Sequence, residues 1–150
     1  MTFIKTTEKD SNYNHLEKMT RSLKHRGPDS EGFFYDNELG IGLGHRRLSI
    51  IDLSEVANQP MISHCKRYVM AFNGEVYNFE AIRKGLKRTW NSKSDSEVIL
   101  EAFVEYGEDF VHRLNGMFAI AIWDKLEKKI HLFRDRLGIK PLLYYFDGTS

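Results

Sequence analysis

The sequence has little cysteine and no long apolar run, and these two absences exclude disulfide-linked and membrane-spanning proteins. Cys65 is the only cysteine among 150 residues, which excludes an internal disulfide and indicates a reducing compartment. The longest apolar run, residues 117–123, is far shorter than the roughly 20 residues that span a bilayer. Residues 1–12 lack the apolar block of a secretory signal. We therefore expect a cytoplasmic protein without a membrane partner.

An excess of charge of either sign is also missing. The 22 Lys and Arg residues nearly balance the 21 Asp and Glu residues, so nucleic acid is not an expected partner. His25, His45 and His64 lack the spacing of metal ligands, and no metal site is expected. The chain does contain 41% apolar and 13% aromatic residues, enough for one sizeable core but not for two ordinary domains. Residues 1–150 should form one domain or most of one.

The order of hydrophobic patterns predicts a fold that mixes helices and strands. The predicted helices are a first one that follows a cap at Asp10 or Ser11 and runs to Arg26, and then residues 79–88, 96–106 and 108–114. The predicted strands are residues 32–35, 39–43, 48–53, 68–72, 76–77, 116–123, 130–134 and 141–146. Because strands are grouped around a central pair of helices, we expect an α+β fold rather than alternating βαβ units.

Asn73 and Gly74 have two interpretations. Both residues tolerate positive φ, and Asn-Gly between two strand patterns is a strong signal for a hairpin turn. Alternatively, the Asn amide and the Gly N–H point at one spot, as an oxyanion hole requires.

Residues 94–97 also have two compatible interpretations. Ser94 and Glu97 fit a capping box that would begin the helix after them. Asp95 would then lie at the start of that helix, where its carboxylate could bind a ligand ammonium group.

Three arginines stand at the edges of helix or strand patterns. Arg26, Arg46 and Arg47 are either solvated surface charges or a clamp for a substrate carboxylate.

Other reactive or flexible residues are expected to be structural. Cys65 directly follows His64, and adjacent residues on an extended segment point to opposite faces, so the two do not indicate a catalytic pair. Gly40, Gly42 and Gly44 alternate within a strand pattern and should permit close packing or bending rather than bind phosphate.

Six motifs occur in an order that resembles the glutaminase domain of class II glutamine amidotransferases of the asparagine synthetase type. They are RGPD at 26–29, HRRLSIID at 45–52, NGEVYN at 73–78, SDSE at 94–97, GMFA at 116–119 and RDRLGIKPL at 134–142. The resemblance covers nearly the whole chain. It implies the fold of N-terminal-nucleophile hydrolases, a layered α/β/β/α sandwich.

The resemblance also implies a reaction and a set of site residues. In this family, an N-terminal nucleophile whose own α-amino group is the base attacks the side-chain amide of glutamine, and glutamate and ammonia are released. The implied roles are an oxyanion hole at Asn73 and Gly74, an α-carboxylate site at Arg47, an α-ammonium site at Glu75 and Asp95, and a pocket completed by the backbone around Leu48 and Ile50.

A second domain is implied as a partner. In full enzymes of this type, a synthetase domain uses ATP to activate aspartate, which accepts the ammonia. ATP and Mg²⁺ would belong to that domain, in cis or in trans, and no cofactor is expected in residues 1–150. The chain ends just after a predicted strand, so we expect the domain to continue past Ser150. A homodimer is left open.

The N-terminus departs from the family pattern. Thr2 stands where the family has its nucleophilic cysteine, and Phe3 stands where it has glycine. Three alternatives follow: Thr2 is itself the nucleophile, the chain is an inactive glutamine-binding or regulatory module, or its first residues are aberrant. A hydroxyl is a far weaker acid than a thiol, so the same amine would activate Thr2 less well.

Overall fold

The structure of the chain, a computed structural model, describes residues 1–5, 9–47 and 58–144. The helices in these ranges are α1 (Lys9–Ser22), α2 (Phe79–Gly85) and α3 (Asp95–Tyr106), with short 3₁₀ helices at Lys24–Arg26 and Gly107–Arg113. The strands are β1 (Thr2–Lys5), β2 (Ser30–Asp36), β3 (Ile41–Arg47), β4 (Met61–Ile62), β5 (Tyr68–Val76), β6 (Gly116–Asp124) and β7 (Lys129–Arg134). None of the helices in the described ranges is long and apolar enough to cross a membrane.

The strands form two antiparallel sheets that pack face to face. The first sheet has the order β1-β3-β2 and the second the order β4-β5-β6-β7. Alternate residues of β3, β5 and β6 fill the space between the sheets, namely Ile41, Leu43, Val69, Ala71, Ala121 and Trp123. Helix α1 covers the outer face of the first sheet. The predicted α+β fold with an α/β/β/α layering is confirmed.

A second core separates the second sheet from α2, α3 and the 3₁₀ helix after α3. The other alternate residues of β5 and β6 pack there with α3 residues; the central members are Met70, Phe72, Val76, Phe118, Ile120, Ile122, Ile99 and Phe103. Strand β6 is therefore buried on both faces, because one set of its side chains enters each core.

The predicted hairpin at Asn73-Gly74 is wrong. Strand β5 is continuous through these residues, and Asn73 pairs with Ala119 and Gly74 with Phe118 on β6. A Cβ atom on Gly74 would lie only 2.1 Å from the carbonyl oxygen of Met117. The glycine is thus needed for the close approach of two strands, and nine consecutive cross-strand pairs outweigh a local turn preference.

Several boundaries differ from the sequence predictions. Helix α1 ends at Ser22, before the 3₁₀ helix, and α2 ends at Gly85 because Leu86 adopts an extended backbone. Residues 141–144 do not form the predicted strand: Pro141 has no N–H for a ladder, and Leu143 is 92% exposed. The predicted extended segment 48–53 and residues 145–146 lie outside the described residues.

Candidate functional site

Thr2 lies on the face of the first sheet that packs against α1. It pairs with Gly44 across the β1–β3 ladder, so the two residues share a face. The Thr2 hydroxyl is 2.7 Å from the hydroxyl of Thr20, which is fully buried on α1. A Cβ atom on Gly44 would lie 2.0 Å from the Thr20 Oγ1 atom. Gly44 therefore permits the close packing of helix and sheet that the glycine pattern predicted.

The opposite face of β3 carries His45 towards the second sheet. The ring is only 7% exposed, and its Nε2 atom lies 3.0 Å from the carbonyl oxygen of Phe72. Burial lowers the pKa of His45 to about 3, and the N-terminal ammonium group and Arg47 contribute in the same direction. The ring is therefore neutral, with its proton on Nε2, because a carbonyl can only accept. No partner among the described residues reaches Nδ1.

The two consecutive arginines of β3 have different surroundings because they point to opposite faces. The Arg46 side chain is only 7% exposed, and it donates to the carbonyl oxygen of Gly27 at 2.8 Å and to the Glu31 carboxylate at 2.7 Å. A Cβ atom on Gly27 would lie 2.6 Å from the backbone of Arg46. Arg46 thus holds the turn after the first 3₁₀ helix and is neither a free surface charge nor an available clamp.

Arg47 lies on the same face of β3 as His45. Its Nη1 atom donates to the Asn58 side-chain oxygen at 2.8 Å, and the Ser30 hydroxyl donates to the same oxygen at 3.3 Å. Asn58 therefore orients the guanidinium group. The predicted neighbours of Arg47 in the pocket, Leu48 and Ile50, lie outside the described residues.

The edge of β5 that faces away from β6 is held by side chains. The Phe72 N–H donates to the Gln59 Oε1 atom at 2.5 Å, and the Val76 N–H donates to the Asp95 Oδ2 atom at 3.2 Å. Backbone groups alternate along a strand, so the Gly74 N–H between them points to the same side. The Asn73 side chain has the parity of the β5 residues that face the first sheet.

Asp95 lies at the first turn of α3, where the capping box is only half formed. Ser94 accepts a hydrogen bond from the Glu97 N–H, as predicted. The Glu97 carboxylate instead accepts from the N–H and hydroxyl of Ser92 at 2.7 Å. Asp95 is buried, and burial is the main cause that raises its pKa, with the nearby charge of Glu75 adding to it. Glu75 is itself exposed.

Gln59 joins these parts and was missed by the sequence reasoning. Its side chain is buried, with Oε1 on the Phe72 N–H and Nε2 donating to the Ser96 hydroxyl at 3.2 Å. Asn58 and Gln59 together connect the first sheet, the edge of β5 and the start of α3. The only signal in the sequence was a pair of amide side chains before Pro60.

The structure thus gathers most of the predicted site residues but separates one of them. Arg47 donates to Asn58, and Gln59 binds Phe72 and Ser96, the chain neighbours of Asn73 and Asp95. Asp95 in turn accepts from the Val76 N–H, next to Glu75. The Thr2 hydroxyl is directed to the other face of the first sheet. Within the described ranges, no three His, Cys, Asp or Glu side chains are grouped to hold a metal ion.

Comparisons with known proteins agree with this arrangement. A family model described as a glutamine amidotransferase domain matches residues 1–150. A putative glutamine-hydrolysing asparagine synthetase of Methanocaldococcus jannaschii is 40% identical over 90% of this chain and 29% of its own length. Asparagine synthetase 1 of Bacillus subtilis is 42% identical over 86% of this chain and 20% of its own length. Amidase chry2 of Gibberella zeae is 37% identical over 86% and 20%, respectively.

These relatives are much longer than the region that they share with the chain, which spans less than a third of their length. The match of the family model to all 150 residues and the identities near 40% agree with each other and with the layered fold. The chain therefore belongs to the glutamine amidotransferase domain family and is similar to the corresponding part of glutamine-hydrolysing asparagine synthetases.

Proposed function

We propose that this chain binds free L-glutamine between β3, the edge of β5 that faces away from β6, and the start of α3. Arg47 binds the α-carboxylate, Asp95 with Glu75 binds the α-ammonium group, and the side-chain amide lies against Asn73 and Gly74. The backbone of residues 48–50 completes the pocket. Glutamine carries one positive and one negative group at its α-carbon, and a basic and an acidic side chain match that pair.

One continuous set of hydrogen bonds carries this proposal. Arg47 donates to Asn58, and the adjacent Gln59 donates to Ser96. Ser96 directly follows Asp95 in the sequence. The same Gln59 side chain holds Phe72, the residue before Asn73. The set supports a shared pocket because it ties the cationic, anionic and amide-binding groups to one dipeptide, Asn58-Gln59.

We further propose that the chain binds glutamine without hydrolysing it through Thr2. A nucleophile must approach the amide carbon to about 3–3.5 Å in a productive complex. The Thr2 hydroxyl is instead engaged with Thr20 beneath the first sheet, on the face opposite to His45 and Arg47. Attack by Thr2 would require the loss of this contact and a change of face.

Hydrolysis of glutamine remains a second candidate, favoured by the names of the relatives, which are glutamine-hydrolysing synthetases. In that case the proposed partner is a synthetase domain, in cis or in trans, that holds ATP and Mg²⁺ and transfers ammonia to activated aspartate. One relative is instead named an amidase, so the acceptor of the ammonia is proposed separately from the glutamine site. In the binding-only case, the same partner would respond to the presence of bound glutamine.

Calorimetry and a glutamate-release assay on one preparation distinguish these functions. Binding without hydrolysis predicts saturable heat with L-glutamine, a weaker response to D-glutamine and L-asparagine, and no glutamate. Release of glutamate that is lost in Thr2→Ala would establish hydrolysis through Thr2 and refute the binding-only form. The absence of any heat or thermal stabilisation with L-glutamine would refute the glutamine site itself.

A further inference from the structure

We propose that His45 and Gln59 act together as a clamp on the backbone of Phe72, which positions Asn73 and Gly74 in the glutamine site. We call this pair the Phe72 clamp. It deepens the proposed function and rests on it, because the importance of the position of Asn73 and Gly74 depends on glutamine binding there. His45 and Gln59 are positioning residues in this proposal, since neither is assigned a contact with glutamine.

The clamp forms hydrogen bonds with both backbone groups of Phe72, the N–H and the carbonyl oxygen, which point away from β6. The N–H donates to Gln59 Oε1 at 2.5 Å, and the carbonyl oxygen accepts from His45 Nε2 at 3.0 Å. Both side chains are more than nine-tenths buried, with exposed fractions of 7% for His45 and 8% for Gln59. Water therefore has little access to compete for either hydrogen bond.

The clamp occupies a part of the β5 edge that has no neighbouring strand among the described residues. Strand β4 is only two residues long and pairs with Val69 and Met70. Beyond Met70, the edge of β5 would expose unpaired backbone groups, which are costly when buried. The two side chains take the role of the missing strand at Phe72, just before the segment that is proposed to bind the glutamine amide.

The chemistry of the partners determines the orientation of both side chains. The Phe72 N–H requires an acceptor, so the Gln59 oxygen faces β5 and its NH₂ group faces the Ser96 hydroxyl. The Phe72 carbonyl requires a donor, so His45 carries its proton on Nε2. Neither side chain can be flipped without breaking a bond of the clamp.

The clamp also links the two charged ends of the proposed site. His45 belongs to β3 and lies two residues before Arg47, while the Gln59–Ser96 bond reaches the residue next to Asp95. The amide-binding segment is thereby held at a defined distance from both. Loosening the clamp should weaken glutamine binding even though all the proposed contact residues remain.

Matched variants separate the clamp from general stability. His45→Leu and Gln59→Met each introduce an apolar side chain of similar size and remove the hydrogen bond to Phe72. His45→Gln is the conservative variant, because a glutamine NH₂ group can replace the Nε2 donor. Ile122→Val is the control: Ile122 is fully buried in the core against the helices and pairs with Met70 rather than with Phe72.

Amide hydrogen exchange, measured by NMR without glutamine, tests the clamp directly. In Gln59→Met, which removes the acceptor of the Phe72 N–H, we expect the Phe72 amide to exchange about tenfold faster, the effect of one lost hydrogen bond. In His45→Leu the lost bond is at the Phe72 carbonyl, so we expect a several-fold acceleration of the Phe72 and Asn73 amides through local opening of β5. His45→Gln should keep exchange slow, and Ile122→Val should change exchange to a similar degree throughout the second sheet, without singling out these two amides. Unchanged exchange in both disruptive variants would refute the clamp.

Calorimetric titration with L-glutamine tests the positioning role. We expect affinity to fall about tenfold in His45→Leu and Gln59→Met and to stay near that of the wild type in His45→Gln and Ile122→Val. Equal affinity in all variants, with glutamine bound by the wild type, would overturn the positioning role. If the wild type binds no glutamine, the proposed function fails, and hydrogen exchange alone decides whether the clamp exists.

A disruptive variant that does not fold is replaced by Ser96→Ala, which removes the far partner of Gln59 together with a long, 3.5 Å hydrogen bond to Asp95. This variant should speed exchange of the Phe72 amide and weaken glutamine binding, each by several-fold. Wild-type values for both quantities in Ser96→Ala would contradict the proposal that Gln59 is held in place by α3.

Discussion

The hydroxyl groups of Thr2 and Thr20 lie 2.7 Å apart and join β1 to α1 across the outer face of the first sheet. Gly44 lies against both hydroxyls, since a Cβ atom there would approach them to 2.7 Å and 2.0 Å, respectively. Thr2, which aligns with the family's nucleophile in the sequence, is thus in the structure a contact residue between a helix and a sheet.

Replacing Thr2 should therefore affect stability and leave ligand binding intact. We expect Thr2→Val to lower the free energy of unfolding by about 1 kcal/mol, the typical net contribution of one hydrogen bond, and to leave glutamine affinity unchanged. Thr2→Cys should not create glutaminase activity, because its thiol would face Thr20. Chemical denaturation, calorimetry and glutamate release measure these three quantities. Vigorous release by Thr2→Cys would show that position 2 reaches the glutamine site.

The two arginines of β3 should respond differently to truncation. Arg47→Leu should weaken glutamine binding about 10- to 100-fold, the effect of losing a charge-assisted hydrogen bond, with a small change in stability. Arg46→Leu should mainly lower the free energy of unfolding, because it leaves the Glu31 carboxylate and the Gly27 carbonyl without their donor. Arg136→Ala, at an exposed arginine, serves as the control. The reverse pattern would contradict the assignment of Arg47 to the site.

Glutamine binding should weaken in acid through Asp95. Burial raises the pKa of this carboxyl group, so it becomes neutral at a higher pH than an ordinary Asp and loses its attraction for the α-ammonium group. Folding raises this pKa, so the folded chain binds a proton more readily than the unfolded chain does. The contribution of Asp95 to the free energy of unfolding therefore increases as the pH falls from the raised pKa to 3.8. Asp95→Asn should bind glutamine weakly at every pH and lack both effects; calorimetry and denaturation over a pH series measure them.

His45 should make the fold sensitive to acid. Its pKa falls from 6.5 to about 3 on folding, so the unfolded chain binds a proton in this window and the folded chain does not. Its contribution to the free energy of unfolding is complete above pH 6.5 and is lost by about 1.4 kcal/mol per pH unit as the pH falls towards 3. His45→Gln should flatten this part of the pH profile, and an unchanged profile would indicate that His45 titrates normally.

Two glycines provide a matched test of strand packing. Gly74→Ala should lower the free energy of unfolding by about 1–3 kcal/mol or more and abolish glutamine binding, because its Cβ would collide with Met117. Gly85→Ala, in α2 with no atom within 4 Å of the new Cβ, should raise the free energy of unfolding by about 0.5–1 kcal/mol. Thermal denaturation measures both; similar effects would contradict the assigned role of Gly74.

Sequence patterns were most informative where a structure depends on near neighbours. Ser94 predicted the beginning of α3 and caps it with its side chain, and the helix ends at Tyr106, where the prediction placed its end, followed by Gly107 with a positive φ. The strand predicted at residues 116–123 matches β6, which is buried on both faces. The order of the six motifs was enough to indicate the family, since each motif is a short local string.

The sequence by itself determined the family, the layered class of fold and the positions of most helices and strands, because hydrophobic periodicity and capping act over a few residues. Only the tertiary structure decided that Asn73 and Gly74 lie within a strand, that Thr2 faces α1, and that His45 and Gln59 meet at Phe72. Each of these depends on strand register or on contacts between residues far apart in the chain. The register of strand pairing places every side chain on one face of the sheet, and the local sequence of β1 does not determine that register.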